Sequence, residues 1–214
     1  MHMTEESVAR QVAEILLNKN AVKLNAQQPF TWASGWKSPI YCDNRTLLSY
    51  PEARTYIKQV MANMVRHLYP DAEMIAGVAT GAISWGVLVA DELQLPFVYV
   101  RPKPKDHGLE NLVEGFLPEG AKTVVIEDLI STGGSSVKAV QALRDRAAQV
   151  KGLIAVYTHG FEVAETLFKE ANCPMTTLSR YEYVIEEAIR KGYIEAQEHD
   201  ILKEWRLDPA NWKR

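Results

Sequence analysis

The chain has 214 residues, of which 47% are hydrophobic, and its formal net charge is −3 at pH 7. This apolar content suffices for one sizeable core, and the slightly acidic balance excludes the basic footprint of most nucleic-acid-binding proteins. With only Cys42 and Cys173, and with no membrane-spanning run or signal peptide in the sequence, we expect a soluble, cytoplasmic protein without disulfides, membrane or nucleic-acid partners.

The N-terminal 48 residues predict a helix followed by irregular structure. Thr4, Glu5 and Glu6 make a good helix start. Residues 21–45 are rich in aromatics and in Ser-Gly and Ser-Pro pairs, which favours short strands and turns. Taken alone, Lys23 fits a surface lysine and Tyr41 a core aromatic.

Helices and strands alternate from residue 49 onward. A helix begins near Pro51. The later patterns predict strands at residues 74–78, 97–100, 123–127, 153–157 and 175–178, and helices at 82–93, 135–148, 163–171, 181–190 and 195–205. This order predicts an α/β protein with a mostly parallel twisted sheet flanked by helices. We expect residues 1–214 to form one domain, with residues 1–48 supplying the N-terminal helix and a small hood.

A polar stretch at residues 101–120 follows the strand that ends at Val100 and begins RPKPKDHG. Loops of this length in a compact domain are usually lids, binding elements or disordered segments. Arg101, Lys103, Lys105 and His107 give this one several cationic or hydrogen-bonding groups, which suits closure over a multiply charged leaving group. The alternative is a solvated basic run.

Residues 123–136, TVVIEDLISTGGSS, are the most informative segment. A buried parallel strand would carry Glu127 and Asp128 to the edge of a crevice. The following glycines and helix start would offer N–H groups to an anion. Because sugar hydroxyls donate to carboxylates, we predict a site for a phosphorylated ribose. An ordinary strand-turn-helix with solvated acids is the alternative.

This segment resembles the phosphoribosyl pyrophosphate signature of type I phosphoribosyltransferases. The loop from Arg101 and the hood sequence, including Asp43 and Arg45, are similar to those of the orotate phosphoribosyltransferases. The resemblance implies the type I phosphoribosyltransferase fold with an N-terminal hood. It further implies transfer of ribose 5-phosphate from 5-phosphoribosyl 1-pyrophosphate to orotate, giving orotidine 5′-monophosphate and pyrophosphate in de novo pyrimidine (UMP) biosynthesis.

The resemblance also implies site residues and partners. Lys105 and Asp128 would be catalytic, and the orotate ligands would be Lys23, Tyr41 and Ser131. No protein metal site is expected, because Mg²⁺ would arrive with phosphoribosyl pyrophosphate. A homodimer is implied, in which the loop of residues 101–115 reaches the neighbouring active site. The expected phosphoribosyl pyrophosphate ligands are Arg101, Lys105, His107, Glu127, Asp128, Leu129, Ile130, Ser131, Thr132, Gly133, Gly134 and Ser135.

The chain departs from the family pattern at residues 156–160, VYTHG, where many members have an Asp-Arg pair whose Arg meets the orotate carboxylate. The resemblance makes Ser131 the first candidate for that donor, because it stands where the family pattern has a hydroxyl, and His159 is a secondary one with a structural role as the alternative. Two other functions stay open: a purine or uracil phosphoribosyltransferase on the same scaffold, and a non-catalytic regulator that binds phosphoribosyl pyrophosphate.

Overall fold

The computed structural model describes residues 5–32, 35–103 and 112–212. Helix α1 spans Glu5–Asn18 and buries one apolar stripe. The hood follows as two antiparallel strand pairs, β1 (Val22–Leu24) with β4 (Ile40–Cys42), and β2 (Phe30–Thr31) with β3 (Lys37–Ser38). The expectation of short strands and turns in this region is confirmed.

A six-stranded sheet forms the centre of the protein, in the order β10-β9-β8-β5-β6-β7. All neighbouring strands run parallel except β6 and β7, which are antiparallel. The predicted mostly parallel sheet is therefore confirmed. The strand bounds are β5 (Met74–Val78), β6 (Phe97–Val100), β7 (Val113–Glu114), β8 (Lys122–Ile130), β9 (Gln149–Thr158) and β10 (Met175–Arg180).

Helices cover both faces of the sheet, because successive strand residues point to opposite sides. On β8, Val124 and Ile126 pack in one core with the hood, whereas Val125 packs in a second core. The helix bounds are α2 (Pro51–Leu68), α3 (Ala82–Leu93), α4 (Gly134–Arg144), α5 (Glu162–Glu170), α6 (Tyr181–Arg190) and α7 (Ala196–Leu207). No helix in the described ranges has both the length and the apolar character needed to cross a membrane.

Several element ends differ from the sequence prediction, including the start of β9 at Gln149 instead of residue 153, and two of them have a clear cause in the main chain. Strand β8 continues to Ile130 instead of ending at residue 127, because β9 runs alongside it and pairs Ile130 with Thr158. Helix α4 ends at Arg144 instead of residue 148, because Ala147 adopts a left-handed φ of 58° as the chain turns into β9. Main-chain pairing and turn geometry, which apolar patterns do not report, set both ends.

Two short elements were missing from the prediction. A 3-10 helix covers Asn44–Ser49 directly after the hood, and it begins where the Asp43 side chain accepts a hydrogen bond from the Arg45 N–H. Strand β7 lies within the polar stretch of residues 101–120 and extends the sheet by one antiparallel strand. Neither is long enough to leave a periodic pattern in the sequence.

Candidate active site

The acid pair lies in the last part of β8. Glu127 is 4% exposed; its Oε2 accepts a hydrogen bond from Ser136 Oγ at 2.7 Å and its Oε1 accepts one from the Asp128 N–H at 3.0 Å. Burial, reinforced by the charge of Asp128, raises the pKa of Glu127 well above its ordinary value. Burial also raises the pKa of Asp128. Two desolvated carboxyl groups side by side favour a ligand that donates hydrogen bonds to them.

The Asp128 carboxylate lies directly over the turn between β5 and α3. Its Oδ1 accepts a hydrogen bond from the Leu129 N–H at 2.9 Å. A Cβ atom at residue 81 would overlap this carboxylate, so only glycine allows the approach. The acid pair and this turn enclose a cleft of about 240 Å³, lined by Cys42, Asp43, Arg45, Val78, Ala79, Thr80, Gly81, Glu127, Asp128, Leu129 and Ser135. The geometry can hold a small polyhydroxylated ligand against the two acids.

The small-residue loop leads from β8 into α4. Gly133 has a φ of +82°, and a Cβ there would lie 3.3 Å from the Ala164 Cα, so both conformation and space favour glycine. Helix α4 starts without a side-chain cap at Gly133, which leaves its first N–H groups available to an anion. Ser131 and Thr132 are half-buried and Ser135 is exposed. Ile130 is fully buried, so only its main chain is available to a ligand.

The basic loop is held at both of its ends. The Arg101 N–H donates to the Leu112 carbonyl oxygen at 2.8 Å, and Arg101 Nη1 lies 3.5 Å from Glu114 Oε1. Arg101 lines a cavity of about 460 Å³ that also touches Ala79 and Ser135, two residues of the acid-pair cleft. Lys103 is exposed, and Lys105 and His107 lie outside the described residues. The structure thus brings Arg101 beside the small-residue loop of residues 131–135.

Lys23 and Tyr41 face each other across the hood, paired between β1 and β4. The Tyr41 ring lies 5.6 Å from the Phe30 ring. Neither residue is among the described residues that line the acid-pair cleft; Lys23 lines a separate pocket of about 340 Å³. Lys23 still acts on the cleft through its charge, which together with the stronger hydrogen bond from Arg45 lowers the pKa of Asp43.

His159, the residue that follows β9, is packed among four aromatic rings. We call this cluster of Trp32, Tyr157, Phe161 and Trp205 the aromatic box. His159 is 1% exposed and its ring lies 5.0 Å from Trp32, 5.2 Å from Tyr157, 5.6 Å from Phe161 and 6.1 Å from Trp205. Burial, with a smaller effect of the Arg206 charge, lowers the pKa of His159 to about 3. His159 is therefore neutral near pH 7 and enclosed, which favours the structural alternative for this residue.

Thr158 and Arg206, two polar residues near His159, already have hydrogen-bond partners. Thr158 Oγ1 donates to the Ile130 carbonyl oxygen at 3.1 Å and accepts from the Gly160 N–H at 2.9 Å. Arg206 Nη2 donates to the Gly160 carbonyl oxygen at 2.6 Å, and its guanidinium lies over the Phe161 and Tyr181 rings. These contacts leave Thr158 and Arg206 engaged within the fold.

Comparisons with known proteins show the family of this chain. A model of the phosphoribosyl transferase domain matches residues 45–177. The orotate phosphoribosyltransferase of Porphyromonas gingivalis is 56% identical over 207 residues, which cover 97% of this chain and 99% of the relative. The chain belongs to the orotate phosphoribosyltransferase family. The Bacteroides fragilis member is also 56% identical, over 208 residues that cover 97% of this chain and 98% of the relative.

Solved structures support the same fold. The crystal structure of orotate phosphoribosyltransferase from Aeropyrum pernix is similar with a TM-score of 0.74 and 26% identity, covering 86% of this chain and 99% of that one. Leishmania donovani UMP synthase is similar with a TM-score of 0.78 and 23% identity, covering 92% of this chain and 42% of that one. The type I phosphoribosyltransferase fold implied by the sequence resemblance is confirmed.

The sequence assigns no site role to four hood residues that meet the acid pair or its cleft. Cys42, Asp43 and Arg45 line the cleft, and the buried Asn44 donates to the Asp128 carbonyl oxygen. In the sequence, Asp43 and Arg45 are only part of the hood pattern. No local signal identifies Asn44, because its partner lies 84 residues away in the chain.

Proposed function

We propose that this chain transfers ribose 5-phosphate from 5-phosphoribosyl 1-pyrophosphate to orotate, giving orotidine 5′-monophosphate and pyrophosphate. The main support is one arrangement: Glu127, Asp128 and Ser135 of the phosphate loop border the same cleft of about 240 Å³. A ribose there would place its hydroxyls on the carboxylates and its 5′-phosphate at the start of α4.

The acid pair has two tasks in this proposal. Its oxygens accept hydrogen bonds from the ribose hydroxyls and so orient the sugar ring. Displacement at the anomeric carbon passes through an oxocarbenium-like state, as in glycoside chemistry. The carboxylate of Asp128 stabilises the positive charge that develops on the ring, and residues 131–135 hold the phosphate.

The leaving pyrophosphate is neutralised by the basic loop. Arg101 lies next to the loop of residues 131–135, and in this proposal Lys105 and His107 act with it on the pyrophosphate, with Lys105 as the proton donor. The hydrogen bond between Arg101 and Leu112, together with the nearby Glu114, anchors the two ends of this lid at the sheet edge.

The residues present suit a magnesium ion that arrives with the substrate. No cluster of three or more potential ligands occurs in the part of the chain that the structure describes. Mg²⁺ commonly binds through one or two carboxylates plus substrate phosphates and keeps several waters. Glu127 and Asp128 would supply such carboxylates, and the bound ion would neutralise charge on the pyrophosphate.

Orotate is held by Lys23, Tyr41 and Ser131 in this proposal. Ser131 follows β8 directly and is half-buried. It is the favoured donor to the orotate carboxylate, because Thr158 and Arg206 at the neighbouring strand end are engaged within the fold. Lys23 supplies positive charge on the hood side.

We also propose a cytoplasmic homodimer. The anchored loop of residues 101–115 would extend to the neighbouring subunit and complete its site. Both cysteines are free, which agrees with a reducing compartment.

An absorbance assay of orotate consumption, with phosphoribosyl pyrophosphate and Mg²⁺, tests the proposal. We expect turnover of orotate and not of adenine, hypoxanthine or uracil; the opposite pattern would favour the purine or uracil alternative. Tight binding of phosphoribosyl pyrophosphate without pyrophosphate release would favour the regulator. Lys105→Ala should lower kcat at least about tenfold, or about 1.4 kcal/mol of barrier, while Lys203→Ala, an exposed control, should not.

A further inference from the structure

We infer that Asn44 is a positioning residue, which holds Asp128 in place from the hood by hydrogen bonding to its main chain. The inference rests on the proposed function of Asp128 and adds a residue to which no role in the reaction has been given. It is carried by a short chain of hydrogen bonds between the hood and β8.

Asn44 is 1% exposed. Its Nδ2 donates to the Asp128 carbonyl oxygen at 2.5 Å, and its Oδ1 accepts from the Cys42 thiol at 3.3 Å. The donor and acceptor in these two hydrogen bonds are fixed by the two groups that Asn44 links. The carbonyl oxygen can only accept, and burial raises the pKa of Cys42 well above its ordinary value, so the thiol stays a donor. The amide of Asn44 is the side chain that satisfies both.

This contact acts on the part of Asp128 that determines where the carboxylate points. The carboxylate rests against Gly81 and accepts from the Leu129 N–H, while the carbonyl of the same residue is held by Asn44. A rotation of this peptide would move the carboxylate away from the cleft. Because Asn44 sits between Cys42 and Arg45, both of which line the cleft, the link also ties the hood wall to the acid pair.

A double-mutant cycle separates positioning from plain structural support. Asn44→Ala should lower kcat/KM for phosphoribosyl pyrophosphate about tenfold in the wild-type background. In an Asp128→Asn background, which removes the charge that Asn44 positions, the same substitution should change kcat/KM less than about twofold. If Asn44→Ala lowers kcat/KM by the same factor in both backgrounds, the inference is wrong. Asn63→Ala, an asparagine on the exposed side of α2, is the matched control and should behave as wild type in both backgrounds.

Asn44→Asp provides a second readout that does not depend on the alanine variant folding. The new carboxyl is isosteric and lies against the Asp128 carbonyl oxygen and the Cys42 thiol, near the charges of Asp43, Asp128 and Arg45, so it is ionised at high pH and then repels the Asp128 carbonyl. Protonation restores an O–H donor. Relative to wild type at each pH, kcat/KM should recover about fivefold from about pH 8 to about pH 5.5. A ratio that stays flat with pH would contradict the inference.

These outcomes are distinct from failure of the proposed function. If wild type turns over orotate and the Asn44 variants have the same activity, the proposed function stands and the role of Asn44 is wrong. If wild type does not turn over orotate, the same four variants of the double-mutant cycle can be compared by their affinity for phosphoribosyl pyrophosphate, which calorimetry measures in the presence of Mg²⁺. Loss of affinity in Asn44→Ala that persists undiminished in the Asp128→Asn background would count against positioning there as well.

Discussion

The carboxyl ends of β8 and β9 are neighbours in one parallel sheet, yet they are built for different purposes. Leu129 pairs with Tyr157 and Ile130 with Thr158, so the two ends lie in register. Strand β8 carries its acids along the border of a cleft. Strand β9 ends at Thr158, and the next residue, His159, is surrounded by four aromatic rings.

The difference shows that the sheet edge provides a place for chemistry, while side-chain packing decides whether it is used. At β8, Gly81 leaves space above Asp128 and the acids face a cleft. At β9, Thr158 and Arg206 donate to main-chain carbonyls, and His159 is neutral and enclosed. Family members with an Arg at this strand end would use both ends, whereas this chain concentrates its polar chemistry on β8.

The largest effect should come from opening the aromatic box. Trp205 is fully buried and packs on Trp32, His159, Phe161 and Tyr181. Trp205→Ala should lower the free energy of unfolding by about 3–5 kcal/mol, because it removes a large buried ring and leaves a cavity. Denaturant unfolding measures this, with Trp205→Phe as a milder comparison. A loss below about 1 kcal/mol would mean that the box does not support the fold.

Changing the β8 end should affect catalysis instead of stability. Asp128→Asn removes the charge but keeps the shape, and we expect kcat/KM to fall about 100-fold, equivalent to about 2.7 kcal/mol. Steady-state kinetics with varied phosphoribosyl pyrophosphate measures the change. Asp200→Asn, on the exposed surface of α7, serves as the charge-matched control. If the two variants are equally active, Asp128 has no role in the reaction.

Acid should weaken the β9 end through His159. Its pKa falls from an ordinary 6.5 to about 3 in the folded protein, so the unfolded chain binds the extra proton first. Stability from this residue is complete above pH 6.5 and is lost as the pH falls toward 3. At about pH 5 the loss should be about 2 kcal/mol. His159→Phe should be less sensitive to acid over this window in denaturant titrations; identical pH curves would show that His159 does not titrate in this way.

The smallest effect should come from removing the charge of Glu127, one of the two adjacent acids on β8. The pKa of Glu127 is raised by folding, so the stability it contributes is complete below its ordinary pKa and is lost as the pH rises through the folded value. Glu127→Gln should therefore stabilise the protein by about 1 kcal/mol at about pH 8, with less gain at about pH 5. Activity should fall at the same time. Thermal unfolding at the two pH values tests this, and a variant less stable than wild type at pH 8 would contradict it.

Much of the fold could be predicted because buried strands and amphipathic helices leave periodic patterns. Residues 74–78 and 97–100 were predicted with the bounds that the structure has, since each is a short apolar run with clear ends. The acid pair was also visible, because both acids directly follow the apolar run of β8 in the sequence. The extension of β8 was not visible, since it depends on pairing with β9.

The parts of the site that escaped prediction depend on distant contacts. Asn44 acts on a residue 84 positions away, and nothing in its local sequence indicates this partner. The local sequence fits His159 equally as a ligand or as a core residue, because the Trp32 and Trp205 rings that pack on it come from opposite ends of the chain. Lys23 and Tyr41 stay predictions, since they lie opposite each other but outside the cleft lining.

The aromatic box has a consequence for synthesis of the protein. Trp32 emerges from the ribosome early, whereas Trp205, against which it packs, belongs to α7. Because domains fold as units while the chain is made from its N-terminus, the hood gains this support only after α7 has been synthesised. A nascent chain would display the turn of residues 131–135 well before the hood is fully packed.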